Sequence, residues 1–176
     1  MTRTIAALLL SAGALLSSCT TTSEPADSSL ATAALLSADG SAKGTARLHL
    51  IGDAVNLTVD ASGLPAGPHG THLHTTGNCT PPDFKSAGGH LNPAGHQHGL
   101  ENPQGSHLGD LPNMTIGEDG MGSLTIRLQG SWAELEPILF DSDGTAVVIH
   151  AGADDYSSQP SGDAGDRVAC AVIEAR

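Results

Sequence analysis

A chain of 176 residues is long enough to bury one sizeable core and too short for two comfortable domains. Aromatic residues make up only 2% of it, so its core is built from Val, Ile, Leu and Ala, and 22 glycines with 10 prolines exclude a mainly helical chain. A formal charge of -12 excludes nucleic acid as a partner and argues against a polybasic contact with a membrane surface.

In chain order the first element is a targeting segment. Arg3 supplies a positive start, Ile5 to Leu16 an apolar run, and Leu16-Ser17-Ser18-Cys19 ends it with small residues before a cysteine. The apolar run is shorter than the ~20 residues a bilayer-spanning helix needs. It resembles a bacterial lipoprotein signal, with residues 1–18 removed and Cys19 lipidated as the first mature residue. An ordinary secretory signal that happens to contain a cysteine is the alternative. Losing Arg3 takes the formal charge from -12 to -13. Residues 19–29 then read as a lipidated end and Ser/Thr-rich tether, and residues 30–176 as one domain. Thr20 gives no inner-membrane retention signal. The expected location is therefore the bacterial cell envelope, on an outer-membrane lipid anchor facing the periplasm if the cell has two membranes.

Alternation with period two follows along the chain. Ala46, Leu48 and Leu50 alternate with Thr45, Arg47 and His49, which predicts that His49 faces solvent. Val55, Leu57 and Val59 alternate with Asn56, Thr58 and Asp60, and Leu124, Ile126 and Leu128 with Ser123, Thr125 and Arg127. Gly70 to Thr76 and Ala146 to Ile149 read as further strands. Asp39-Gly40, Asp119-Gly120 and Asp143-Gly144 each predict a hairpin, because glycine accepts the positive φ such turns demand. An all-β antiparallel sandwich or flattened barrel is expected. Two stretches lack any period: Gly77 to Pro112 and Ala151 to Arg167. Loops of that length are functional or disordered. Ser131 to Ile138 fits either a short helical turn or an irregular crossing.

With Cys19 assigned to the lipid, Cys79 and Cys170 remain, and export to an oxidising compartment predicts that they pair. Two buried free thiols are the alternative. The bond would close a loop of roughly 90 residues, worth about 4 to 5 kcal/mol in the chain-entropy model.

Six of the nine histidines and one aspartate form an ordered series: His72, His74, His90, His98, His107, Asp110 and His150. That is too many ligands for one tetrahedral zinc, so two metals are expected. Imidazole suits copper and zinc alike, which makes a redox site beside a zinc site plausible on ligand chemistry alone. His72 and His74, two apart on a strand, project to one side and can grip one metal. His150, at the end of the Ala146 to Ile149 run, can complete that site. His98, His107 and Asp110 lie together in the long loop, and His90 stands between the two groups.

Several segments in sequence resemble the copper/zinc superoxide dismutase family. They are Pro68-His69-Gly70-Thr71-His72-Leu73-His74, Cys79, Gly89-His90-Leu91-Asn92-Pro93, His98-Gly99, His107-Leu108-Gly109-Asp110-Leu111, His150-Ala151-Gly152-Ala153-Asp154-Asp155 and Gly165-Asp166-Arg167-Val168-Ala169-Cys170. The resemblance runs from about Ser29 to Ile173. It implies a Greek-key antiparallel β-sandwich with two long functional loops. It implies one copper on His72, His74, His90 and His150, and one zinc on His90, His98, His107 and Asp110, with His90 shared. It further implies a disulfide between Cys79 and Cys170, Arg167 orienting an anion beside copper, and Asp154 linking His72 to His98. His96 falls outside the family's ligand spacing and is expected on the surface, and His69 is expected to brace its strand.

The activity so implied converts two superoxide anions and two protons to dioxygen and hydrogen peroxide by Cu(II)/Cu(I) cycling, with a structural zinc and with His90 handling a proton. It would serve as antioxidant defence. Residues 151–166 hold four aspartates and no lysine, so weaker steering of the anion is expected than in relatives with lysines there. An envelope protein that buffers or delivers the metals without turnover is the alternative; it would need neither Arg167 nor Asp154. A purely structural sandwich leaves the histidine series without a reason. Whether two copies pair as a homodimer is not legible in the sequence.

Overall fold

A computed structural model describes residues 27–174; the targeting segment, Cys19 and the first part of the tether lie outside the described residues. The chain runs β1 (Asp27–Leu36), β2 (Ala42–Ile51), β3 (Ala54–Ser62), β4 (Gly67–His69), β5 (Thr71–His74), β6 (Met114–Ile116), β7 (Met121–Ser131), α1 (Trp132–Leu139), β8 (Thr145–His150) and β9 (Arg167–Ile173). Seven strands form one antiparallel sheet in the order β5-β8-β9-β1-β2-β3-β7, and β4 pairs with β6 as a separate ribbon.

Alternation explains the inner face. Ala46 and Leu48 of β2 and Val55, Leu57 and Val59 of β3 are buried, while Thr45, Arg47 and Asp60 are exposed. Leu73 from one edge of the strand order and Leu128 from the other belong to a single apolar core. The sheet must therefore curl until its two ends face each other, as a flattened half-barrel. Each fully buried Leu, Ile or Val in that core contributes about 1.5–3 kcal/mol.

Strand β8 is buried at all six positions. Its Val147 and Ile149 enter the main core, whereas Ala146 and Val148 meet a second cluster with Phe84, Ala87 and Cys170. Burial on both faces is why its sequence is a continuous apolar run and not an alternating one. The cover over its outer face is the segment pinned by the disulfide between Cys79 and Cys170, 91 residues apart with Cα atoms 5.8 Å apart. That separation is ordinary for a disulfide.

Three sequence expectations are corrected, and one that was left open is settled. Asp27 to Ser29, read as tether, are strand residues paired with Ile51, Leu50 and His49. Asp143-Gly144 joins α1 to β8 and makes no hairpin; Asp141 Oδ1 accepts the Asp143 and Gly144 amides at 3.3 and 2.9 Å. His49 is buried, not solvent-facing, because its Nε2 lies 3.3 Å from Thr58 Oγ1, which also meets Thr125 Oγ1 at 3.1 Å across three strands. Residues 132–139 resolve as helix. The Ser131 amide and hydroxyl both donate to the Glu134 carboxylate, at 2.9 and 2.8 Å, which fixes the first turn. Leu135 and Leu139, four apart, then enter the core from one helix face. Among the described residues no helix is long and apolar enough to cross a membrane.

Candidate metal centre

An edge strand carries unpaired backbone groups, and β5 is an edge strand. The long 77–112 segment satisfies them. Leu73 donates its amide to Gly109 O at 2.9 Å and accepts from the Leu91 amide at 2.8 Å, and the Thr75 amide donates to Gly89 O at 3.0 Å. These bonds set His90 beside His74 and Asp110 beside His72 as isolated bridges. On the other side β8 pairs with β5, and the His150 amide donates to Gly70 O at 2.8 Å. The ligand series, spread over 79 positions from His72 to His150, is thereby gathered around one short strand.

Two groups result. In His72, His74, His90 and His150, and again in His90, His98, His107 and Asp110, one atom from each residue lies within 4.8 Å of the others. His90 belongs to both. All seven residues are fully or nearly buried, His107 least so.

Outer hydrogen bonds fix which ring nitrogen faces inward. Gly88 O accepts from His74 Nδ1 at 3.0 Å and Gly165 O from His150 Nδ1 at 3.0 Å, so a neutral ring leaves each Nε2 with its lone pair free. Asp154 accepts from His72 Nε2 at 2.7 Å through Oδ2 and from His98 Nε2 at 3.0 Å through Oδ1. His72 Nδ1, His74 Nε2, His90 Nε2 and His150 Nε2 are consequently buried with no hydrogen-bond partner. Four converging lone pairs without a donor are costly unless a cation supplies what water cannot.

The second group shows the same signature in another form. Asp110 Oδ2 is held by the amides of Gly99 and His107 at 2.8 and 2.9 Å. Its Oδ1 then faces Nδ1 of His90, His98 and His107 at 2.8, 3.0 and 3.1 Å. Because His98 already donates through Nε2, a neutral His98 points a lone pair at a carboxylate oxygen. A metal among these four atoms removes that conflict.

Electrostatics favour the ligand forms. Burial pushes His74 down to about 2 and His72 and His150 down to about 4, and lowers His90 as well. Burial alone would raise Asp110, but hydrogen bonds from His90 and the Gly99 and His107 amides outweigh it and hold the carboxyl below the ordinary carboxylate range. Asp154 is likewise kept low against burial by His72, the Tyr156 amide and His98. Neutral imidazoles and ionised carboxylates are the species a divalent metal binds.

Arg167 begins β9 and reaches back over the disulfide-pinned segment. Its Nη1 donates to Phe84 O at 2.8 Å and its Nη2 to Gly88 O at 2.7 Å. Gly88 O is also the acceptor for His74, so one carbonyl sets the guanidinium relative to the first ligand group. Cys79 and Cys170 are bonded to each other. His96 is exposed, with Nδ1 donating to Ser106 O at 3.0 Å. His69 is buried, its ring nitrogens 2.7 Å from His150 O and 2.9 Å from Pro65 O, a brace between β4 and the end of β8. Cys19 lies outside the described residues.

Three supporting residues were not legible in the sequence. Asn113 donates Nδ2 to Asp154 O at 2.9 Å and accepts the Asp154 amide at 2.8 Å, while Tyr156 accepts the Asn113 amide on its hydroxyl at 2.8 Å. Gln159 clasps His98 at both backbone groups, with Oε1 and Nε2 at 2.9 and 2.8 Å. Their roles depend on contacts 41 to 61 residues away, for which the local sequence carries no signal.

A curled antiparallel sheet whose edge strand gathers two ligand groups around one shared histidine defines a binuclear metal protein. Residues 42–173 match the family model described as copper/zinc superoxide dismutase. The chain is 43% identical over 146 residues to superoxide dismutase [Cu-Zn] 2 of Aquifex aeolicus, covering 80% of this chain and 84% of that one. It is 41% identical over 150 residues to superoxide dismutase [Cu-Zn] of Caulobacter vibrioides, covering 82% and 85%. The crystal structure of a SOD-like protein from Bacillus subtilis superposes with a TM-score of 0.75 at 35% identity, over 81% of this chain and 97% of that one. The chain belongs to the copper/zinc superoxide dismutase family, an oxidoreductase family whose two metals match the two ligand groups.

Proposed function

We propose that the chain is an active superoxide dismutase, converting two superoxide anions and two protons to dioxygen and hydrogen peroxide. The observation that carries this reading is the set of four buried, partnerless nitrogens on His72, His74, His90 and His150. They would hold copper, and His90, His98, His107 and Asp110 would hold zinc. Copper supplies reversible one-electron chemistry, while zinc has none and contributes fixed charge and geometry.

The protein's own groups supply the rest. Arg167, pinned by two carbonyls, offers a fixed guanidinium to an anion approaching the first group. His90 Nε2 faces that group with no competing partner, which lets it take up and release a proton there. Asp154 spans both groups, so movement of His72 is felt at His98. A protein that only buffers metals has no need of Arg167 at this spot. The test is superoxide consumption by the copper- and zinc-loaded protein against the metal-free protein. Metal uptake without any superoxide consumption would favour the buffering role.

The envelope role extends this reading. Lipidation of Cys19 and an outer-membrane anchor facing the periplasm are supported by the residue 1–19 pattern and fit a disulfide-bonded domain. Fatty-acid labelling of the wild type and of Cys19→Ser tests it; equal labelling of the two would remove the anchor.

A further inference from the structure

The second ligand group is closed to water on most sides. The side chains of His98 and Asp110 are 0% exposed and that of His90 3%, whereas that of His107 is 9% exposed. His107 is thus where the group meets solvent. One opening onto it, of about 120 Å³, is also lined by Arg127, whose charge repels a cation. Another, of about 600 Å³, is lined by His96, Ser106, His107 and Glu134. The Ser131 amide and hydroxyl hold the Glu134 carboxyl below its ordinary range, so the larger cleft carries an anion that attracts a cation.

His96 is held in place at the wall of that cleft. Its amide donates to Asn92 Oδ1 at 3.0 Å and its carbonyl accepts Asn92 Nδ2 at 2.9 Å. Its ring donates through Nδ1 to Ser106 O at 3.0 Å, the carbonyl of the residue just before His107. The ring is therefore tied to the backbone that carries a ligand. A neutral ring bonded in this way keeps the Nε2 lone pair free, and the residue is exposed.

We propose that His96 is the first ligand that zinc meets, taking the ion from solvent in this cleft and passing it to His107 and the buried group behind it. The step is ligand exchange without redox change: a water leaves zinc as His96 Nε2 binds, and His96 leaves as the buried ligands close. His96 has no place in the final set. It therefore lowers the barrier equally for entry and exit and leaves the affinity as it was. This inference rests on the assignment of zinc to His90, His98, His107 and Asp110.

His96→Asn puts an amide nitrogen where Nδ1 stood, so the bond to Ser106 O can persist, and removes the Nε2 lone pair. Zinc(II) is mixed rapidly with the metal-free protein and its disappearance followed with a zinc-responsive dye; release from the zinc-loaded protein is timed after adding excess EDTA. In His96→Asn both rates are expected to fall about tenfold, the low end of what one supporting group contributes to a metal site. The zinc dissociation constant should stay that of the wild type. Unchanged rates would overturn the proposal. Slower uptake with unchanged or faster release would overturn it too, because weakened affinity marks damage to the final site and not loss of an entry ligand. A wild type that takes up no zinc would overturn both the zinc assignment and the route, whereas uptake at a rate shared by the variant would overturn the route alone.

Discussion

Gly162 offers a sharp test of how the two ligand groups are held together. It sits at φ +71, and a Cβ placed on it would lie 1.8 Å from Asp154 Oδ1 and 2.7 Å from His98 Nε2. Ordinary contact needs roughly 3.4 Å or more, so in Gly162→Ala the carboxylate must retreat by about 1.5 Å. Oδ1 then loses the His98 ring donor at 3.0 Å and the Tyr156 amide at 2.7 Å. Hydrogen bonds to a charged group are worth about 1.5–3 kcal/mol each, and a left-handed alanine costs about 1–2 kcal/mol more. The sum, about 4 to 8 kcal/mol, compares with about 5–15 kcal/mol for the whole stability of a typical domain. The metal-free variant should melt about 8 to 32 °C lower, at about 2–4 °C per kcal/mol. Its zinc affinity should fall about 10- to 100-fold, the usual consequence of disturbing a ligand's hydrogen-bond partner. Chelator competition and thermal unfolding measure both. Gly152→Ala is the control: it lies in the same loop, has no positive φ, and its Cβ would meet nothing nearer than 3.4 Å. A Gly162→Ala protein that matches the control in melting and zinc affinity would refute the account of Asp154.

Acid should destabilise the metal-free protein. His72 and His150 are held down to about 4 from 6.5 by burial, so above 6.5 both states are neutral and stability is flat. As the pH falls the unfolded chain takes protons first, and stability drops by up to about 1.4 kcal/mol per pH unit for each ring until the folded rings titrate near 4. Urea unfolding at pH 7.5, 5.5 and 4.5 follows this, and equal midpoints would contradict it. Below that range the depressed Asp110 and Asp154 add a further loss. Replacing Cys79 and Cys170 together by serine should remove about 4.5 kcal/mol for the 91-residue loop. It should also lower activity in the loaded protein, because the pinned segment carries the Phe84 and Gly88 carbonyls that hold Arg167; full activity with lost stability would separate the two roles. The superoxide rate constant of the wild type should fall only shallowly with added salt, because residues 151–166 carry four aspartates and no lysine; a steep fall would contradict weak steering.

The sheet was legible wherever one face meets water. In β2 and β3 the period of two follows directly from half-buried strands, and Asp39-Gly40 marks a real hairpin. Strand β1 was not legible, since its Leu-Ala-Thr-Ala-Ala-Leu-Leu run has no alternation and alanine has little strand preference. Register shifts at Ser29/Ala31 and Leu35/Leu36 blur it further. His49 was misread because its outer face is not open: it is buried, with its ring nitrogen 3.3 Å from the Thr58 hydroxyl of the neighbouring strand. The seven ligand candidates were legible as a series because few other histidines compete with them. Their division into two groups was read from their places on strands and loop, whereas the sharing of His90 followed from the family resemblance. Asn113, Tyr156 and Gln159 stayed hidden, because a residue that supports a ligand from the far side of a loop leaves no mark in its own neighbourhood.

The central claim is that four neutral imidazoles hold a redox copper beside a zinc held by the other group. Copper and zinc content per chain, measured together with superoxide consumption in the wild type and in His74→Ala, tests it most directly. The account predicts one copper, one zinc and activity in the wild type. It predicts retained zinc with copper and activity lost in His74→Ala, since His74 belongs only to the first group. Full activity without copper would contradict it.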